Sequence, residues 1–337
     1  MENNLLSVAD AIEGLCCLEI RPPGGSQGVV RPLAAMARER QGGPPVLIAA
    51  QRLVERVRPG DLVVIATGFY TDAMPHGESD GPPGAASLAY ALSRGLGAVP
   101  LVLAEQQCLA PTRASLRAIG LAEWPLDEVL GKPRAFALQT FPTDGRAEGR
   151  ADELLQMLRP SAILVVEKPG LNAKGVAHRG GGKAIADGRM RAEVLTAKAR
   201  DAGVLTIAIG DNGNEVGMGL VAEATRKYKD WGAVCQCPCQ GGIAAVDEVD
   251  VTVIASVSNL GAYGIAAMLG VLLGSDATIH DADAERRMIE DCQRAGAVDG
   301  ILLGPSFSVD GIPGRFFCHA VDTLGIIVRT ALGRESP

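Results

Sequence analysis

Short, nearly uninterrupted runs of Val, Ile, Leu and Ala recur along this chain, each leading into a polar, glycine-bearing loop and then a helix-like segment. The runs are DLVVIATG at 61–68, AVPLVLAE at 98–105, SAILVVEKPG at 161–170, VLTIAIGDNG at 204–213 and VDVTVIASVSN at 249–259. A strand of a parallel sheet covered on both faces reads as a continuous apolar run, whereas a half-wet strand alternates. The helical patterns GAASLAYALSRGLG, PTRASLRAIG, DGRMRAEVLTAKARDAG and EVGMGLVAEATRKY supply the crossovers. The alternation predicts an α/β fold: a mostly parallel or mixed sheet with helices on both faces, in a three-layer sandwich.

The chain's 337 residues suffice for one large α/β domain or two modest ones. Residues 1–45 are less regular, with RPPGGSQG and RQGGPP as breaks around the helix candidate RPLAAMARER, and are expected to form an N-terminal arm or cap. Residues 46–333 are expected to form the α/β catalytic domain. Near the end, GPSFSVDGIPGRFFCHAVDTLGIIV reads as a short strand, a tight turn at Asp310-Gly311 and a closing helix.

A formal charge of −7 opposes nucleic-acid binding through bulk electrostatics. The start, MENNLLSVADAIEGL, has helical spacing and no basic n-region, so no secretion signal is read there. Eight cysteines without a regular framework, including the adjacent Cys16 and Cys17, fit a reducing cytoplasm. Cys235, Cys237 and Cys239 in CQCPCQGG lack the paired C-x-x-C units of a structural zinc site and have no convincing fourth ligand nearby, so they are read as a loop, with metal or redox activity as the alternative. The uncharged segment Val251–Gly274 is long enough to span a bilayer. Its β-branched start, followed by the N-cap candidates Ser258 and Asn259 and an Ala/Leu-rich run, fits a buried strand feeding a buried helix instead. No membrane partner is expected.

Ligands of open α/β sheets bind beyond the carboxyl ends of the strands. The loop ATGFYTDAMPHGESDGPPGA leaves one such end at Thr67 and Gly68 and carries Asp72, His76, Glu78 and Asp80 before a Pro-Pro helix start. Asp80 alone is explained as an acid favoured by a helix dipole; three acids in nine residues are not. In GDNGNEVGMG, the glycines permit a tight exit, Asn212 and Asn214 tolerate left-handed backbone, and Asp211 and Glu215 lie four apart, able to converge on one cation or substrate. An oxygen-rich site of this kind suits Mg or Mn. Gly217–Ala222 matches G-x-G-x-x-A, but beyond an acidic cluster that repels a pyrophosphate, and no Walker A sequence occurs, so no nucleotide cofactor is expected. The loop VVEKPGLNAKGVAHRGGGK supplies Glu167, Lys168, Lys174, Arg179 and Lys183: either a solvated charge run or a seat for a substrate carboxylate. His178 reads equally as a surface histidine or a catalyst. Ser256, Ser258 and Asn259 offer hydroxyl and amide groups between a strand and a helix, for capping or for substrate.

In their residues and their order, ATGF, ESDGPPGA, EKPG, IGDNGNEVGMG, VIASVSN and VDGIPGRF resemble the D-glutamate cyclase family, from about Asp61 to the final helix. Against a family form GDGGNE(L/V)GMG, Asn212 replaces a glycine. Against ERxGRxxDG, Lys168, Leu171 and Lys174 replace two arginines and an acid. The resemblance implies a carbon–oxygen lyase of D-amino acid metabolism that condenses D-glutamate, or a close analogue, to 5-oxo-D-proline and water.

That chemistry needs charge neutralisation at the γ-carboxylate and proton delivery to the departing oxygen. Asp211, Glu215, Glu78 and Asp80 are the catalytic candidates, with Asp80, Asp211 and Glu215 as ligands of a divalent cation. Thr67, Gly68, Glu167, Lys168, Lys174, Asn212, Asn214, Ser258 and Asn259 are the substrate-binding candidates, Lys168 or Lys174 holding the α-carboxylate. A metal-dependent hydrolase of phosphoesters or a lactam would use the same acidic loops, and a non-catalytic small-molecule binder would bind without turnover. Few aromatics and many small residues suit flat subunit contacts, so a homo-oligomer is expected.

Overall fold

The computed structural model describes residues 2–21, 27–185 and 188–334. Most of the RPPGGSQG break (22–26) and Asp187, at the head of the DGRMRAEV segment, lie outside the described residues.

Helices α1 (Glu2–Cys16), α2 (Val30–Gln41) and α3 (Pro45–Arg56) precede β1 (Leu62–Thr67). The chain then crosses through α4 (Pro82–Ala91) to β2 (Val99–Ala104), and through α5 (Leu109–Ala118) to β3 (Ala122–Glu123) and β4 (Ala135–Thr140). It returns through α6 (Ala147–Glu153) to β5 (Ala162–Val166), through α7 (Ala192–Asp201) to β6 (Leu205–Gly210), and past α8 (Ala222–Tyr228) to β7 (Val251–Ile254). There follow α9 (Ser258–Leu273), α10 (Ala282–Arg294), an antiparallel hairpin of β8 (Ser308–Val309) and β9 (Ile312–Pro313), and α11 (Gly314–Ala331).

One seven-stranded sheet runs in the order β3-β4-β2-β1-β5-β6-β7, and every pairing in it is parallel. Its strands bury alternate residues in two cores. Val63, Ile65, Leu164, Ile207 and Val253 pack with α1, α3, α4, α9 and α11. Val64, Ala66, Ile163, Val165 and Ala208 pack with α2, α6 and α7. Covering both faces is what makes the runs continuous, each buried Val, Leu or Ile contributing about 1.5–3 kcal/mol. The uncharged segment resolves into β7 and the buried helix α9, and among the described residues no helix is long and apolar enough to cross a membrane.

Two local differences from the sequence reading have simple causes. The helix expected from Glu215 starts only at Ala222, because Glu215 is drawn back to bond its own loop and Gly217 takes a positive φ of 84°. Strand β4, next to the edge strand β3, escapes pattern reading because its last two residues, Gln139 and Thr140, are polar and cut the apolar run short.

From β1 the chain winds outward to β2, β4 and β3, then returns to place β5 on the other side of β1. The loops after β1 and β5 therefore diverge, opening a crevice at the strands' carboxyl ends. The loop after β6 joins them there.

Candidate active site

The crevice is framed by a reciprocal cap between two helices. Ser258 and Asn259, the first residues of α9, donate their backbone N–H groups to the Asp80 carboxyl, both at 2.9 Å. In return the Asn259 side-chain Oδ1 accepts from the backbone of Gly81 (3.0 Å) and Gly84 (2.7 Å) at the start of α4. The sequence places the cap of α9 in Ser258 and Asn259 themselves; it comes from Asp80, across the fold. Each side chain satisfies N–H groups that its partner helix leaves open. Gly81, at φ 104°, permits this, since a Cβ there would press on the Thr67 hydroxyl.

Inside this frame the carboxyl groups converge. Asp80, Asp211 and Asp310 each bring a carboxylate oxygen within 4.8 Å of the others, and so do Glu167, Asp211 and Glu215. The carboxyls of Asp80 and Asp211 thus meet in one buried cluster, with Asp211 common to both trios. The predicted set Asp80, Asp211 and Glu215 is divided between them. Glu215 accepts from the backbone of Asn212 (3.0 Å) and Gly213 (2.8 Å), which folds the loop around its carboxylate. Gly213 (φ 81°) is needed there because a Cβ would strike Thr225. This explains the density of glycine and carboxamide in GDNGNEVGMG: the loop wraps around one of its own acids and presents another.

Two participants were missed by the sequence reading. Arg21, which follows α1, is buried and pairs with both Asp211 and Asp310, the latter at 2.6 Å. Asp310 turns the β8–β9 hairpin at φ 51° and was read only as a turn residue. Its place in VDGIPGRF was a usable signal; Arg21, before a Pro-Pro break, offers none in pattern or spacing.

A cavity of about 430 Å³ opens against this cluster. Glu78, Glu167 and Asp310 line it, and so do Arg179, Lys183 and Trp231. Asn212 and Asn214 also line it. The Asn214 amide nitrogen donates to the His178 carbonyl at 2.9 Å, which aims its buried Oδ1 elsewhere, and that oxygen has no hydrogen-bond partner among the described residues. Asn212 accepts from Lys229 at 2.7 Å and donates to Asp211. The Ser258 hydroxyl donates to Glu167 at 2.6 Å. Glu167 holds φ 50°, a left-handed backbone that non-glycine residues seldom adopt outside constrained sites.

The remaining candidates stand away from the cavity. Lys168 is buried and bonded to Glu105 and to the Gly68 carbonyl. Lys174 is exposed on the far part of its loop. Neither lies on the cavity wall, whereas Arg179 and Lys183 do. Thr67 is fully buried at the end of β1, and its hydroxyl has no partner among the described residues.

Burial and mutual repulsion raise the proton affinity of Glu78, Asp80, Glu167, Asp211 and Asp310. Asp211 is pushed up to about 7, by desolvation against the opposing pull of Arg21 and with Glu215 adding repulsion. Asp310 rises to about 6 for the same leading reason, again opposed by Arg21. Desolvation, then Asp310 and Asp80, holds Glu78 well above the usual carboxylate range; desolvation, then Asp211 and Glu215, does so for Glu167. Asp80 rises too, through desolvation and its neighbours Asp310 and Asp211, against the N–H groups it accepts. The site therefore combines a carboxyl raised to about 7 with others raised well above the usual carboxylate range.

A stretch of 80 residues is 38% identical to the D-glutamate cyclase, mitochondrial, of Homo sapiens, covering 24% of this chain and 12% of that protein. Residues 35–321 match the family described as D-glutamate cyclase-like, C-terminal. That match takes in every strand exit bordering the crevice, and the chain belongs to the D-glutamate cyclase-like, C-terminal family.

Proposed function

We propose that this chain is a lyase that closes D-glutamate, or a close amino-acid analogue, to 5-oxo-D-proline and water. In that reaction the substrate ammonium gives one proton to the γ-carboxylate, the neutral amine nitrogen attacks the γ-carboxyl carbon, an N–C bond forms, a C–O bond breaks, and a second proton from the nitrogen ends on the departing oxygen, which leaves as water. The observation that carries the proposal is the pairing of Asp211, poised at about 7, with carboxyls that burial keeps protonated.

Asp211 takes the amine proton and returns it to the leaving oxygen, as a general base and then acid matched to neutral pH. Glu78 and Glu167, in protonated form, donate to the γ-carboxylate oxygens and relieve the charge that makes a carboxylate a poor electrophile. Arg179 and Lys183, across the cavity, seat the α-carboxylate in place of Lys168 and Lys174. The free Asn214 Oδ1 accepts an N–H of the amine and aims its lone pair. Holding both ends of the substrate turns an already intramolecular reaction into one with few unproductive conformers.

The all-oxygen donor set of Asp80, Asp211 and Asp310 fits a hard divalent ion. Mg or Mn held there would supply electron withdrawal from the γ-carboxylate. No nucleotide is required by this chemistry.

A proton NMR time course with D-glutamate, L-glutamate and both 5-oxoprolines, with and without Mn, tests the proposal. A 5-oxoproline signal from D-glutamate alone is expected. Turnover of a phosphomonoester instead, suppressed by EDTA, would make the chain a hydrolase; ligand-induced shifts without product would make it a binding protein.

A further inference from the structure

The loop CQCPCQGG acquires a fourth partner in three dimensions. His178, from the loop after β5, brings its Nε2 to 3.2 Å from the Cys237 sulfur and 3.6 Å from the Cys239 sulfur. Cys235 Sγ lies 3.5 Å from that of Cys237 and 3.3 Å from that of Cys239. All four donor atoms fall within 4.8 Å of one another. We propose that His178, Cys235, Cys237 and Cys239 form a Cys₃His site that binds one structural Zn²⁺, separate from the carboxylate cluster.

Three further features point to a metal. Tetrahedral zinc with bonds of about 2.3 Å to sulfur spaces its sulfurs about 3.8 Å apart, so the observed separations need only a small expansion to admit the ion. The imidazole is already oriented, because His178 Nδ1 lies 3.1 Å from the Val176 carbonyl. An N–H donated there leaves the Nε2 lone pair facing the sulfurs, the arrangement that carbonyl-anchored metal-ligating histidines use. The Cys239 sulfur also receives N–H groups from Gly241 (3.4 Å) and the Asn172 amide (3.5 Å), which stabilise a thiolate. Three soft sulfurs and one imidazole, with no carboxylate in the set, select zinc over magnesium or manganese. The four ligands fill a tetrahedral shell and leave no open position, as in a structural site.

The ion would clasp two loops together. Gln236 already bonds Gly182 through its backbone (2.8 Å) and Gly181 through its side chain (3.0 Å). The same two loops bring Arg179, Lys183 and Trp231 to the cavity, so the clasp would fix that wall.

The test is metal analysis of the purified full chain, by elemental analysis and by X-ray absorption at the zinc edge. About one zinc per chain, with a first shell of three sulfurs and one nitrogen, is expected. Replacing zinc by Co²⁺ should give thiolate charge-transfer bands and the visible spectrum of a tetrahedral site. Cys237→Ser and His178→Gln should lose the zinc, while Asp211→Asn keeps it, which separates this site from the proposed reaction. Should the variants fail to fold, the absorption shell of the wild-type chain decides alone. Zinc retained by both variants, a shell dominated by oxygen, a chain that takes up no zinc, or a disulfide between two of the three cysteines in the chain purified anaerobically would each overturn the proposal.

Discussion

Glu167 and Lys168 are adjacent in the chain yet belong to two buried charge systems built on opposite rules. Lys168 turns to Glu105, whose Oε1 also accepts from the Met190 backbone at 2.7 Å, so one cation meets one anion, with Glu105 Oε2 left without a partner among the described residues. Glu167 turns to the crevice, where Glu78, Asp80, Asp211, Glu215 and Asp310 crowd around Arg21 and Lys229. The first system is balanced. The second carries more acid than its described cations neutralise, and that excess, together with burial, raises the proton affinity of Glu78, Asp80, Glu167, Asp211 and Asp310. A balanced buried pair fixes geometry, whereas an excess of like groups is costly for folding and is retained where proton exchange is useful.

The largest effect that should separate the two systems is on turnover. Asp211→Asn removes the proton carrier while keeping shape, and should lower kcat for 5-oxoproline formation by about two to four orders of magnitude, roughly 3–5 kcal/mol of barrier. Product formation followed by NMR reads it; a loss under threefold would exclude Asp211 from the chemistry. Stability should respond in the other system. Lys168→Met leaves Glu105 buried without its cation and should cost about 3–5 kcal/mol in denaturant unfolding, with much of that recovered in the double variant Lys168→Met/Glu105→Gln. No recovery would mean that the lysine acts through packing, and the contrast between the systems would fail.

A smaller effect tests the facing wall. Arg179→Met should raise KM for D-glutamate about tenfold while changing kcat little, because a seat for the α-carboxylate acts in ground and transition state alike. A fall in kcat with unchanged KM would move Arg179 out of the seat and into the chemistry.

The two systems also differ in how far the sequence announced them. The strands, their parallel direction and the helices on both faces follow from continuous runs such as AILVV, because burial on two faces leaves no room for alternation. Asp80, Asp211 and Glu215 stood out because a single loop seldom needs so many acids. Arg21 and Asp310 did not, since a salt bridge spanning residues 21 to 310 is set by how the fold closes, and no local spacing encodes it. Lys168 shows the converse. Its neighbours in sequence suggest an anion seat, but the strand exit after Val166 sends Glu167 and Lys168 in different directions, and only three-dimensional contact with Glu105 reveals the lysine's partner. His178 was ambiguous in sequence for the same reason, being separated from the cysteines it meets by more than fifty positions.

The smallest effect is in pH dependence, and its sign is set by the acids of the crevice. Asp211 has its carboxyl raised from 3.8 to about 7 in the folded chain, so between those values the folded state binds protons that the unfolded state has released. Stability from this group is therefore fully present below about 4, declines as pH rises, and is exhausted above about 7. Asp310 adds the same sign over the narrower interval up to about 6. Because the protons are shared among neighbouring carboxyls and Arg21 opposes the rise at both, each group contributes a shallow slope. Asp211→Asn should remove part of it: the stability of the wild-type chain relative to this variant should fall between pH 4 and 7 and level off beyond. Urea unfolding of the two chains at several pH values measures this. A variant Asp211→Asn that tracks the wild type would show that the acidic crevice is held ionised, with its excess charge neutralised by a bound cation instead of by protons.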